Sequence, residues 1–211
     1  MSGSDAGMAL DRRQKAGLLL FAGAAEFAIG MTAAQAMYPG YNISHEFLGD
    51  LGVGPTALLF NASIAILGLT FIAAAWLLSR RVQNRQLAIA VALAGIGALG
   101  FGLVPATEDE LFLQIHTIAA LMANVGGALS AILAFRILRS PLRYVSVALG
   151  GISLVALGLL MTKIYVLLDR GGMERAIIWP VLVWGMAAGG SLLTMPSAAS
   201  KGSVGAGSRT E

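Results

Sequence analysis

Long apolar runs are the feature that most constrains this chain. Stretches of about 20 predominantly apolar residues recur along the sequence, and a helix needs that length to cross the hydrocarbon of a bilayer. The runs are continuously apolar, whereas the strands of a membrane β-barrel alternate apolar and polar residues. The mean hydropathy of +0.78 agrees with a membrane location. The sequence therefore predicts an all-α, polytopic membrane protein.

The apolar runs predict a bundle of six transmembrane helices, which form one domain over residues 16–195. Because six is an even number of crossings, both termini lie on the same side of the membrane. Residues 1–15 precede the bundle, and the Gly- and Ser-rich residues 196–211 are expected to form a disordered tail. The predicted helices cover residues 16–37, 55–79, 86–105, 112–136, 143–168 and 175–195.

Basic residues indicate the orientation of the bundle. Eleven of the fourteen Lys and Arg residues flank the spans on the side of the termini. Loops rich in Lys and Arg remain in the cytoplasm, so we expect both termini to be cytoplasmic in a multi-pass protein of the plasma membrane. The expected extracytoplasmic segments, residues 38–54, 106–111 and 169–174, carry most of the acidic residues.

Composition and context exclude several kinds of site. The absence of cysteine excludes disulfides, cysteine zinc sites and iron–sulfur clusters. The basic residues are spread over short loops, which argues against nucleic acid as a partner. Residues 95–100 (GIGALG) have the letters of a dinucleotide fingerprint, but they lie inside a span instead of between a strand and a helix. We therefore expect no cofactor, and close helix packing at these glycines.

Three polar side chains are expected within the membrane: Glu26, Asn61 and Asn124. Glu26 lies near the middle of the first span, where an ionised carboxylate is costly, so it is a functional candidate. The alternative is a protonated or hydrogen-bonded glutamate that holds helices together. Asn124 lies in the middle of the fourth span and is a candidate neighbour of Glu26, while Asn61 is expected to hydrogen-bond across helices.

Ionisable residues cluster on the outer side, chiefly within residues 43–51. We expect this stretch to form one short amphipathic helix on which Glu46 and Asp50 share a face. His116, in the second turn of the fourth span, is expected close by. One hypothesis is a set of hydrogen bonds that fixes the outer loop on the bundle, with His116 bonded to the backbone of residues 38–54.

The same residues could instead carry chemistry. His116, together with Asp50 or Glu46, is a candidate for the base of a hydrolase or transferase that acts on a lipid. His45 and His116 are weak candidates for a metal site that would activate a water. The two histidines are far apart in the chain and no His-Glu-x-x-His motif is present, so we expect no metal ion there.

A transporter is a further alternative, with Glu26 as the coupling residue. Repeated halves and paired broken helices, which are typical of transporters, are not evident in the sequence.

Several short motifs along the chain form a recognisable set: Phe47–Pro55 (FLGDLGVGP) with Leu59-Phe60-Asn61, Val104-Pro105, His116–Ala120 (HTIAA), and Glu174-Arg175 with Trp179-Pro180 and Trp184. Together they resemble the DUF998 family of uncharacterised prokaryotic membrane proteins. They are also distantly similar to the DRAM-type family of autophagy modulators and lipid-remodelling proteins. The resemblance implies six helices and a polar outer face, but no established reaction. It carries over Asp50, Gly52, Pro55, Asn61, His116 and Glu174, and His45 is not among these positions.

The favoured hypothesis is that the outer polar cluster binds a lipid headgroup or a partner protein. Lys163 and Arg175 would offer positive charge to phosphate, and the carboxylates and His116 would orient them. Lys163 either extends outward to water or pairs with an outer carboxylate such as Asp50. The expected partners are membrane lipids and another membrane protein or a second copy of the chain. The predicted binding residues are Asp50, His116, Lys163, Glu174 and Arg175.

Overall fold

The computed structural model describes residues 10–79, 85–106 and 109–195. Within these ranges the chain contains six long helices and no strand, which confirms the predicted all-α class. Each helix is long and apolar enough to cross a membrane, so the chain is a multi-pass membrane protein. The helices are α1 (Arg12–Met37), α2 (Ala57–Ser79), α3 (Arg85–Leu103), α4 (Glu110–Leu133), α5 (Leu142–Met161) and α6 (Arg170–Leu193).

The helices pack in chain order around a common centre. Each helix contacts the next one, and α6 returns to pack against α1, so the arrangement closes on itself. Helices α4 and α6 also contact each other, which leaves α5 on the flank of the bundle. Its most apolar stretch is accordingly the least buried of the six. The centre of the bundle is therefore enclosed mainly by α1, α2, α3, α4 and α6.

The glycine-rich stretch of α3 lies where the backbones of three helices approach closely. A Cβ atom at Gly95 would stand 2.8 Å from the carbonyl oxygen of Gly68 on α2, and one at Gly97 would stand 2.6 Å from that of Ala119 on α4. Only residues without side chains fit at such distances. The expectation of close helix packing in residues 95–100 is confirmed.

The helix boundaries near α5 and α6 differ from the prediction. Helix α5 ends at Met161, seven residues before the predicted end at residue 168. Residues 162–169 form a loop in which Lys163 and Val166 have positive φ angles of 58° and 48°. Ile164, Val166, Leu167 and Leu168 give this loop an apolar stretch, so hydropathy did not separate it from the helix before it. Helix α6 begins at Arg170, five residues before the predicted start, because the side chain of Asp169 caps it.

The prediction of one amphipathic helix over residues 43–51 is wrong. The structure has a turn in this region, followed by a short 3₁₀ helix at Leu48–Gly52. The Glu46 carboxylate accepts a hydrogen bond from the Asn42 backbone N–H at 2.8 Å, and the Asp50 carboxylate accepts one from the Phe47 N–H at 2.8 Å. Such local bonds compete with helix formation. Glu46 and Asp50 therefore cap two separate turns instead of sharing a helix face.

We refer to the end of the bundle that carries residues 38–56 and 162–169 as the outer end, in keeping with the predicted topology. The orientation itself stays a prediction. At the opposite end, α1 begins at Arg12 after a capping box in which Asp11 and Gln14 each bond to the other's backbone. The predicted disordered tail, residues 196–211, lies outside the described residues.

Candidate functional site

The segment of residues 38–56, which we call the outer cap, closes the outer end of the bundle. Leu48 and Leu51 of the outer cap are 1% and 0% exposed, so the cap is part of the hydrophobic core. The first turn of α6 holds it from the side, because the backbone N–H groups of Gly171 and Gly172 donate to the Ser44 carbonyl at 2.9 and 3.3 Å. N–H groups in the first turn of a helix have no partner within the helix, and here the outer cap supplies one.

Arg175 fastens the outer cap one turn further along α6. Its Nη1 donates to the Gly171 carbonyl at 2.8 Å and to the Glu46 carbonyl at 3.2 Å, and its Nη2 donates to the Tyr41 hydroxyl at 2.7 Å. The Tyr41 hydroxyl in turn donates to the Phe47 carbonyl at 2.8 Å. Burial raises the pKa of Tyr41, and the hydrogen bond from Arg175 opposes that rise. Arg175 is 7% exposed, so its guanidinium is buried and its hydrogen bonds lie inside the protein.

Glu174 precedes Arg175 in α6 and lines a central cavity beneath the outer cap. Its Oε2 accepts a hydrogen bond from the Leu48 backbone N–H at 2.5 Å. In the part of the chain that the structure describes, this is the only hydrogen bond of the carboxylate, and no basic side chain forms an ion pair with it. A carboxylate has about four acceptor sites, so most of the accepting capacity of Glu174 is unused.

The central cavity offers about 70 Å³ to the centres of water-sized molecules and is walled mainly by apolar side chains. Its two polar residues are Glu174 of α6 and Asn124 of α4. Gly127, three residues after Asn124, packs against Val181, which is seven residues after Glu174, so Asn124 lies about 6 Å deeper than Glu174 at 1.5 Å per residue. Among the described residues, the Asn124 amide has no hydrogen-bond partner. The apolar walls include Phe27, Phe60, Phe71, Ala94, Ala98 and Phe101.

His116 lies just behind the wall of the central cavity and is 8% exposed. Its ring packs on Phe101, with the two ring centroids 4.1 Å apart. Its Nδ1 lies 2.6 Å from the Val104 carbonyl oxygen, so the expected bond to the backbone of residues 38–54 is not formed. His116 instead meets the outer cap by packing: a Cβ atom at Gly49 would lie 3.4 Å from its Nε2.

His45 lies at the surface of the outer cap, away from His116. Its Nδ1 pairs with the Asp169 carboxylate, and its carbonyl oxygen accepts a bond from Arg170 Nε at 2.5 Å. The backbone N–H of Arg170 and the side chain of His45 together lower the pKa of Asp169. Over residues 10–79, 85–106 and 109–195, no group of three or more His, Asp or Glu side chains is placed to hold a metal ion.

Two of the polar residues expected in the membrane have partners outside the central cavity. Glu26 Oε1 accepts a bond from the Ser63 hydroxyl at 2.7 Å, which joins α1 to α2. This contact fits a glutamate that holds helices together, and Asn124 is not its partner. Asn61 Nδ2 donates to the Gly52 carbonyl at 2.8 Å, so Asn61 fastens the outer cap to α2 instead of bridging two helices.

The sequence pattern of one protein family matches residues 21–191. The family is DUF998, described as a protein of unknown function. The chain belongs to the DUF998 family. No curated protein and no solved structure gives a match to this DUF998 chain. The more distant similarity to the DRAM-type family stays a prediction.

In this DUF998 protein, all five predicted binding residues lie at the outer end. Glu174 lines the central cavity, Arg175 and Asp50 fix the outer cap, and His116 packs behind Phe101. Lys163 is exposed and makes no bond to Asp50. Of the two predicted alternatives, it therefore extends outward instead of pairing with this carboxylate. Sequence reasoning missed the roles of Tyr41 and Ser63. Tyrosines in loops and serines inside apolar helices are both common. Neither feature therefore indicates a specific hydrogen-bond partner.

Proposed function

We propose that this DUF998 protein binds a membrane lipid at its outer end, with the polar head of the lipid at Glu174 and its apolar part in the central cavity. One observation carries the proposal: an apolar cavity inside a membrane-spanning bundle contains a carboxylate with unused acceptor sites. Binding sites for small molecules are typically apolar concavities with a few polar groups that orient the ligand. Lipid is the most abundant apolar molecule around such a bundle.

In this proposal the polar residues of the outer end have two roles: some hold the outer cap in place, and one recognises the head of the lipid. Arg175 and Asp50 hold the outer cap, because their hydrogen bonds go to the cap backbone and to Tyr41. Recognition of phosphate by Arg175 and Lys163 has less support. The first is occupied within the cap, and the second does not line the central cavity. We therefore assign recognition of the head to Glu174.

The enzymatic and transport alternatives have less support than lipid binding. His116, Asp50 and Glu46 are each bonded to a nearby backbone group, and they do not line the central cavity. Glu26, the coupling residue of a transporter, does not line it either. Lipid turnover that is lost in His116→Ala, or proton-dependent uptake that is lost in Glu26→Gln, would favour these alternatives. Binding of a partner protein at the outer end stays a prediction.

Native mass spectrometry tests the proposal. The full-length protein is extracted from its membrane into a neutral detergent, and we expect a lipid to remain bound. Ala98→Leu places a larger side chain in the cavity wall, where Ala98 is 4% exposed, so lipid retention should fall. Ala148→Leu on the exposed face of α5 is the matched control and should retain lipid like the wild type. Equal retention in Ala98→Leu and the control, with both proteins folded, would contradict the proposal.

A further inference from the structure

The chemistry around Glu174 selects the polar head of a ligand. Glu174 is half-buried, and an acceptor that faces apolar surroundings is costly unless a donor satisfies it. Leu48 supplies one N–H group to Oε2, and Arg175, the nearest guanidinium in sequence, directs its Nη donors to Gly171, Glu46 and Tyr41. The missing donor can therefore come from a molecule in the central cavity.

The walls of the central cavity disfavour an anionic head. Glu174 is the only ionisable side chain in the described wall, and the wall contains no Lys, Arg or His. A phosphate or carboxylate head would thus meet a like charge, with no basic side chain in the described wall to compensate it. An ammonium or hydroxyl head would instead donate hydrogen bonds to the free acceptor sites of Glu174.

The shape of the central cavity selects the apolar part of the ligand. The cavity is elongated, since Phe60 and Phe71, which both line it, are eleven residues apart on α2, or about 16 Å at 1.5 Å per residue. That length is about half of the roughly 30 Å hydrocarbon thickness of a bilayer. The volume of about 70 Å³ is small, equal to about five to seven times the space that a single water requires. Over that length the space is narrow, which favours one alkyl chain over two.

We infer that the central cavity takes a single-chain amphiphile whose head is an amine or an alcohol that donates hydrogen bonds to Glu174. This inference rests on the proposed lipid binding and names the class of lipid. The ammonium head is the stronger ligand, because hydrogen bonds between ionised partners are about twice as strong as neutral ones. The chain of the ligand runs from Glu174 towards Phe71, between the phenylalanines of α1, α2 and α3.

Three probes that share one chain test the inference: dodecylamine, 1-dodecanol and dodecyl phosphate. Each is added to the delipidated full-length protein in a neutral detergent, and the bound fraction is measured by native mass spectrometry. We expect dodecylamine to bind best, 1-dodecanol less tightly, and dodecyl phosphate least. Glu174→Gln keeps the shape and can still accept the Leu48 N–H, but it removes the charge. Its affinity for dodecylamine should fall about tenfold or more, and its affinity for 1-dodecanol by about threefold or less.

Asn124→Leu separates the role of Glu174 from that of the other polar group in the cavity wall, because it removes the Asn124 amide and keeps the Glu174 charge. It should leave the order of the three heads unchanged. The comparison of heads on the wild type does not depend on any variant, so a folding defect in Glu174→Gln leaves the test intact.

Each remaining outcome has a definite meaning. Equal or tighter binding of dodecyl phosphate, or a head preference that is lost in Asn124→Leu and kept in Glu174→Gln, would overturn the inference. If Ala98→Leu expels a native lipid but the three heads bind alike, lipid binding stands and the inference about its class fails. If no probe binds and no native lipid is retained, both fail.

Discussion

At the residue scale, the outer end depends on a hydrogen-bond network whose partners are mostly backbone carbonyls. Arg175 donates to the carbonyl oxygens of Gly171 and Glu46, and Tyr41 passes a further bond to that of Phe47. Charge patterning in the sequence indicated that Glu174 and Arg175 lie on the outer side. It could not indicate their partners, because carbonyl groups occur at every residue and only the path of the outer cap selects among them.

Tyr41→Phe tests this network. The change keeps the ring but removes the acceptor of Arg175 Nη2 and the donor to the Phe47 carbonyl. Because both partners are left unsatisfied, we expect the free energy of unfolding to fall by about 1–3 kcal/mol. Thermal unfolding in detergent measures the effect. Tyr144→Phe is the matched control: Tyr144 is 55% exposed, so its loss should change stability by no more than about 0.5 kcal/mol. Equal effects of the two changes would contradict the buried network.

At the element scale, the first turn of α6 holds the outer cap in place by hydrogen bonds. A helix start was not predicted at Arg170, since the apolar residues before it extended the fifth span in hydropathy. Asp169 was the available signal, because aspartate is a typical N-cap residue. The prediction of a helix over residues 43–51 was wrong for a related reason. Their helical spacing was sound, but the bonds from Glu46 and Asp50 to nearby N–H groups favour turns.

Gly171→Ala tests the contact between α6 and the outer cap. A Cβ atom at this position would lie 2.6 Å from the Ile43 carbonyl oxygen and 2.9 Å from that of Ser44. Because both neighbours are backbone atoms, the outer cap must shift, and we expect a loss of about 1–3 kcal/mol in stability. Gly151→Ala is the control, since no atom lies within 4 Å of its Cβ position. The contact is wrongly described if both variants unfold at the wild-type temperature.

Asp169→Asn tests the pairing between α6 and His45. Asparagine is also a good N-cap, so the change removes the charge with little effect on the helix start. The pKa of Asp169 is lowered from its ordinary value of 3.8, so its ionised form stabilises the fold above that pH. The stabilisation is lost as the pH falls through the lowered pKa. We therefore expect the wild type to unfold at a higher temperature than Asp169→Asn at neutral pH, and the gap to close well below pH 3.8. A gap that persists in acid would mean that the charge is not its source.

At the scale of the whole molecule, hydropathy and the family resemblance were sufficient for the architecture. Six apolar runs predicted six spans, and small residues in α3 predicted close packing, because both signals depend on side-chain size and polarity alone. The central cavity could not be predicted. Phe27, Phe60 and Phe101 read as ordinary core residues in the sequence, and only the relative rotation of the helices leaves a space between them.

The predicted orientation is tested by labelling single cysteines, which is direct in a chain without cysteine. A maleimide that cannot cross membranes should label Ser44→Cys in intact cells and should label Gly205→Cys only after permeabilisation. The positive-inside distribution of Lys and Arg is the reason for this expectation. The reverse pattern would place the outer end in the cytoplasm.

A single turn of α6 carries Gly171 and Arg175, which grip the outer cap, and Glu174, which faces the central cavity. Any tilt or rotation of that turn moves its contacts with the outer cap and with the central cavity together, because the same turn makes both. Binding of a ligand in the central cavity should therefore be detectable at the outer surface, as a change in the mobility of a spin label attached near residue 44.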